Sequence, residues 1–187
     1  MQRPVPLNEE IVLDPKRYIV SKTDTKGIIT YGNEYFIEIV GYSEDELIGQ
    51  PHNIIRHPDM PKIVFKVMWD RINSGKNIKA IVKNLAKDGR YYWVVTDFEP
   101  KYDPLTNKII GHTAYRKAAP KKAVEAIEPI YQKLLAIEAT GGMEASGKFL
   151  VEYLDLKKVT YDEFVDSLIE YRGLTKLFFE AMKKLFG

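Results

Sequence analysis

The spacing of apolar positions changes period several times along the chain, and each change marks an element. Residues 18–31, YIVSKTDTKGIITY, read as two short strands. Tyr18, Ile19 and Val20, then Ile28 and Ile29, are strand formers, and Asp24-Thr25-Lys26-Gly27 supplies the turn between them. Over 34–40 the apolar residues Phe36, Ile37 and Val40 fall at helical spacing. In GYSEDELIG, Ser43 and Glu46 form a capping-box pattern and Gly49 is placed to end the turn. Residues 62–73 predict a longer helix with Val64, Val67, Met68 and Ile72 as one stripe, Phe65 and Trp69 beside it, and Ser74-Gly75 at its end.

Three strands follow, at 78–84, 90–101 and 108–116. Lys87-Asp88-Gly89 joins the first two as a hairpin, and the turn-rich segment 102–107 joins the last two. Two strands, a helical crossover and three further strands make an α+β layout. It predicts a five-stranded antiparallel sheet with helices on one face and a ligand cavity between them. From Pro120 the period is helical throughout. Val124, Ile127, Tyr131, Leu134 and Leu135 form a stripe, Pro129 is expected to kink that helix or set its start, and Gly141-Gly142 is the clearest break. Phe149, Leu150, Tyr153 and Leu154 predict another helix, and Thr160 with Glu163 caps one carrying Phe164, Val165, Leu168 and Ile169. Beyond Gly173, Leu174, Leu177, Phe178, Ala181, Met182 and Leu185 predict a last helix whose apolar row would pack on a neighbour or dock a partner.

Composition narrows the function. With 45% hydrophobic and 29% charged residues in 187, the chain can bury one domain of usual size with an appendage, or two small domains. A net charge of +2 offers neither a nucleic-acid surface nor a polybasic membrane anchor. No apolar run approaches the ~20 residues that span a bilayer, and the first ten residues lack a signal-peptide core, so a cytoplasmic chain is expected. The absence of Cys excludes disulfides, thiolate metal ligands and thiol nucleophiles, and three His without an HExxH pattern predict no metal site.

Candidate chemistry concentrates in PHNIIRHPDMP, residues 51–61. Pro58 steers His57 away from helical geometry, and Asp59 stands where a carboxylate could cap the helix that begins near Pro61. That leaves His52, Asn53, Arg56 and His57 unexplained. As an acid–base pair, His57 and Asp59 have no accompanying nucleophile, so no enzyme is expected. A planar, apolar ligand with a diphosphate tail suits the residue types better: Arg56, His57, Asn33, Trp69 and Trp93 supply cation, donors and aromatic faces. Core packing is the alternative for both Trp residues.

SKTDTKGIITYGNEYF, GYSEDELIGQPHNIIRHPDMP and IVKN-x4-GRYYWV together resemble the PAS domain of Aer-type aerotaxis and energy-taxis sensors, with AIEPIYQKLL similar to the helix that follows it. The resemblance implies an N-terminal cap at 1–17, a PAS sensor domain at 18–119, a connector helix at 120–140 and a C-terminal helical region at 141–187. It implies non-covalently bound FAD without enzymatic turnover. Carried over by position, Asn33, Arg56, His57 and Asp59 would bind the flavin, with Trp69, Tyr92 and Trp93 in support. Two stretches depart from the family pattern: Ile78 and Ala80 replace the Trp and Gly of WxGIVKN, and Leu85-Ala86 replaces an Arg-rich stretch. A haem on His52 or His57, and a ligand-free adaptor or dimerisation module, therefore stand as alternatives. Ending at Gly187 without a membrane span or methyl-accepting coiled coil, the chain resembles a stand-alone PAS partner that acts on a separate membrane chemoreceptor, with homodimerisation as a further role for its C-terminal helices.

Overall fold

A computed structural model describes residues 3–169, so the helix predicted beyond Gly173 lies outside the described residues. In chain order the elements are β1 (Ile19–Thr23), β2 (Ile29–Gly32), α1 (Glu34–Val40), α2 (Glu44–Leu47), a 3-10 turn at His52–Ile55, α3 (Lys62–Asn73), β3 (Ile78–Leu85), β4 (Tyr91–Tyr102), β5 (Ile109–Ala118), α4 (Lys121–Lys157) and α5 (Tyr161–Ile169). The five strands form one sheet in the order β2-β1-β5-β4-β3, with every pairing antiparallel. The expected α+β layout is therefore the observed one.

Local signals do what their chemistry dictates. Asn33 caps α1, its Oδ1 accepting from the Phe36 amide, and Gly41 closes that helix in the left-handed region. Ser43 and Glu46 form a reciprocal capping box on α2. Thr160 and Glu163 do the same ahead of α5. Period-2 alternation sends Ser21, Val82, Asn84, Thr96, Phe98, His112, Ala114 and Arg116 to one face of the sheet, where α3 lies. Val64, Met68 and Ile72 of α3 are buried in the core between sheet and helices, each such side chain contributing about 1.5–3 kcal/mol.

Two expectations are corrected. Asp59 does not cap α3: the cap position is Pro61, with no side-chain bond from its own loop. The first two amides of α3 go instead to Glu138, 75 and more residues away; its carboxylate accepts from Lys62 and Ile63, each at 2.9 Å. Pro129 neither starts nor breaks α4, which begins after Pro120 and has non-helical geometry only at Gly142. Gly141-Gly142 is the break expected from sequence: helical geometry is interrupted at Gly142, as a kink between the two halves of α4. The backbone at Gly142 (φ 74°, ψ −178°) is a conformation open essentially to glycine alone.

The kink and a set of side-chain contacts carry α4 along the edge strand and onto α3. Tyr131 donates from its hydroxyl to the Ile81 carbonyl at 2.7 Å and stacks on Trp93. Past the kink, Ser146 donates to Glu138 at 3.1 Å, and Gly147 lies so close to Ile63 that a Cβ would sit 3.1 Å from its Cδ1. Asp162 of α5 then pairs with Arg71 of α3, and Asp166 with Lys79 of β3.

Candidate functional site

Between the sheet and α3 lies a cavity of about 480 Å³, within the range typical of small-molecule sites. Its floor is the inner face of β1, β3, β4 and β5, and its walls are α3, the β1–β2 turn and the 3-10 segment. Met143, just past the kink in α4, also reaches the lining. Phe65, Met68, Trp69, Ile72 and Phe98 make the apolar surface. Trp69 stands edge-on to His112 (5.6 Å between ring centres) and packs over Gly27, where a Cβ would come within 2.8 Å of the indole. Gly27 also has φ +80°, so both backbone and space require glycine there.

The charged residues of the lining are Lys26, Arg56, Lys62, Lys66 and Arg116; among the described residues no Asp or Glu lines the cavity. Four of the five sit towards solvent. Arg56 lies over the Phe65 ring at 4.3 Å and donates to the Met60 carbonyl, while Lys66 pairs with Asp70. Arg116 is different: it is 1% exposed, on the central strand β5. It donates to Ser21 Oγ and to His52 Nε2, both at 2.9 Å. An arginine can only donate, so Nε2 accepts and the imidazole proton lies on Nδ1. Burial, then the Arg116 charge, lowers the His52 pKa to about 3, so both partners of this guanidinium are neutral at pH 7. Burial in turn lowers the Arg116 pKa to about 10.

Among the described residues, Thr96 Oγ1 and both ring nitrogens of His112 are buried polar atoms without a partner, and Asn84 Nδ2 has only the Tyr92 phenol beside it; Thr96, His112 and Asn84 all line the cavity. Buried polar atoms are nearly always satisfied, so this cluster marks a surface prepared for a polar ligand edge.

Of the residues singled out from sequence, His52, Asn53, Arg56 and Trp69 line the cavity. The others lie elsewhere. Asn33 spends its amide on Phe36, Val20 and Tyr18, tying β1 to α1. His57 is buried outside the cavity, its Nδ1 accepting from the Asp59 amide at 3.1 Å. Burial and the Lys83 charge, opposed by Asp59, bring its pKa down to about 4. Asp59 meets Lys83 at 3.0 Å. Tyr92 is wholly buried, and burial raises its phenol above the ordinary value. Trp93 faces the other way, onto Tyr131. Ile78 is buried opposite Phe98 in the sheet register.

His112, Arg116, Thr96 and Met143 escape a motif search because no local pattern surrounds them, while Asn84 stands in the quoted IVKN stretch without being singled out there. The available signal was polar residues at inward-facing strand positions, legible only once the strands' inner face is known. Among the described residues no cluster of metal-ligating groups occurs, and no helix is long and apolar enough to cross a membrane.

Comparison with known proteins agrees with the fold. A family profile described as PAS fold matches residues 29–111. The chain is 41% identical over 118 residues, 63% of its length, to the aerotaxis receptor of Escherichia coli (strain K12), and 28% identical over 81 residues, 43% of its length, to biofilm dispersion protein BdlA of Pseudomonas aeruginosa. These matches span 23% and 19% of those proteins, so the chain corresponds to less than a quarter of either. Among solved structures, the blue-light photoreceptor Aureochrome1 LOV superimposes with a TM-score of 0.52 at 19% identity, covering 65% of this chain and 90% of that one. An RNA-binding light-oxygen-voltage receptor gives 0.51 at 17%, covering 64% and 33%.

Proposed function

The chain carries a PAS domain of the aerotaxis-receptor type, and from that premise we propose that it is a signal-transduction sensor that binds FAD non-covalently and relays redox or energy state to a membrane chemoreceptor in chemotaxis. The observation that carries this reading is the cavity itself: among the described residues it has an aromatic and apolar interior, polar atoms without partners on its floor, and a mouth whose charges are all positive. Such a lining fits a flat ring system with a diphosphate tail. Phe65, Trp69 and Phe98 bury the ring. Asn84, Thr96 and His112 meet its polar edge. Lys26, Arg56, Lys62 and Lys66 hold the phosphates.

When bound, a flavin supplies a reversible two-electron couple in which reduction with uptake of one proton adds one negative charge to the ring. The protein's part is to convert that charge into movement. α3 forms one wall, and its first turn hangs on Glu138 of α4, so a shift of α3 is felt directly by the helices that follow the domain. Those helices are the surface offered to the receptor, or to a second copy of the chain.

A visible spectrum of the purified protein, with extraction of any chromophore, tests the reading. A flavin spectrum that bleaches on reduction is expected. A colourless protein that also fails to take up added FAD would sink the proposal. A Soret band would replace flavin by haem and direct attention to His112, the cavity histidine with both ring nitrogens open, rather than to His52 or His57.

A further inference from the structure

Among the described residues, the cavity is built from the sheet, α3 and the loops before α3, except where Met143 reaches it from α4, a helix that begins only after the last strand. Three constraints hold the backbone of Met143 at the rim. Gly142 turns the chain there in a conformation essentially open to glycine alone. The wholly buried Ser146 hydroxyl lies 2.9 Å from the Met143 carbonyl and 3.1 Å from Glu138, and donates to one or the other. Glu138 itself accepts from the Lys62 and Ile63 amides, and Lys62 belongs to the cavity mouth. The frame around Met143 is therefore fixed to α3. Its side chain is not. Met143 is 38% exposed, whereas Met60 and Met68, which fill the core, are 1% and 4% exposed. An unbranched thioether with three rotatable bonds adapts to whatever lies beside it.

We propose that Met143 is the gate of the cavity: its side chain swings across the mouth next to the first turn of α3, closing over a bound flat ligand and standing aside for its entry and release. Glu138, Gly142 and Ser146 are positioning residues that hold the gate at the rim. With the cavity filled, closure buries apolar surface between the thioether and the ligand ring, which favours the closed arrangement. A gate slows entry as well as release, because both pass the same side chain. A wall that only touches the ligand slows release alone. The proposal rests on the reading of this cavity as the ligand site; FAD as the ligand enters one arm of the test and not the other.

The ligand-free arm uses the full chain in a Trp93→Phe background, where Trp69 in the cavity lining is the one remaining tryptophan, and reads access to the mouth as acrylamide quenching of its fluorescence. Met143→Ala is expected to raise the quenching constant at least twofold, and Met143→Leu to leave it nearly unchanged. Gly142→Ala should raise it too by moving the gate off the rim, since a Cβ there would meet nothing within 4 Å and the change acts on the backbone alone. The second arm is stopped-flow mixing with FAD. Entry and release are both expected to be at least fivefold faster in Met143→Ala, with affinity changed less than threefold. Faster release without faster entry would make Met143 a wall contact and overturn the gate. Unchanged Trp69 quenching in Met143→Ala would overturn it as well, and that variant, which trims a part-exposed side chain, decides the matter even if Gly142→Ala does not fold. If FAD fails to bind while quenching follows the expected order, the flavin reading falls and the gate stands.

Discussion

Lys83 is 8% exposed, and its ammonium is met by Asp59 at 3.0 Å and by the face of Tyr91 at 4.4 Å. That arrangement, rather than helix capping, is what Asp59 does, and a double-mutant cycle separates the two roles. Asp59→Ala strands a buried cation and is expected to cost about 1–3 kcal/mol in urea unfolding. In a Lys83→Met background the same change should cost close to nothing. An equal cost in both backgrounds would return Asp59 to the helix end. His57 and His52 make a second prediction at this scale. The unfolded chain takes up a proton on each near pH 6.5, whereas the folded protein refuses one until about pH 4 and about pH 3 respectively. Because the unfolded state binds more protons in this window, stability is full above pH 6.5 and falls as pH drops towards 4. The slope is on the order of 1.4 kcal/mol per pH unit for each histidine. Unfolding midpoints measured from pH 7.5 to 4 check this, and a flat profile over that range would refute it.

Helix α3 has an apolar stripe strong enough to be recognised from sequence, yet its N-terminus is completed by a carboxylate from another element. The Glu138 carboxylate also accepts from Ser146, which it can reach only because Gly142 bends α4. Glu138→Gln leaves one amide oxygen where two carboxylate oxygens accepted, and removes the negative charge at the positive end of the α3 dipole. It is expected to cost about 1 kcal/mol and to speed hydrogen exchange of the Lys62 and Ile63 amides while leaving the β4–β5 amides unchanged. Uniform acceleration across the domain would mean that the clamp has no local role. The capping boxes at Ser43 and Thr160 behave oppositely, being satisfied within four residues and therefore legible as they stand.

On the scale of the whole molecule, charge is arranged with a purpose that the net value of +2 conceals. Near-equal numbers of acids and bases are sorted so that, among the described residues, the cavity lining takes only bases. Exposed cations at the mouth are screened by salt, whereas apolar burial of a ring is not. FAD affinity is therefore expected to fall several-fold between 50 and 500 mM NaCl, while riboflavin, which shares the ring but lacks phosphates, should change little. Parallel salt dependence for both would remove the phosphates from the mouth.

Strand and helix periods, turn residues and capping boxes are properties of neighbours in the chain. They determined the order of elements, the α+β class and the places where α1, α2 and α5 begin. Arg56 and Trp69 were within reach because they stand in or beside an unusual loop. Asp59, Glu138, Arg116 and His112 were not, since each takes its role from a partner far away in sequence: Lys83, the α3 amides, Ser21 with His52, and the cavity. Which strand faces meet, which charge is left without a counter-charge and where α4 bends onto α3 depend on packing across the sheet. Only the tertiary structure decided these, because burial and long-range pairing are set by what surrounds a side chain, not by what precedes it.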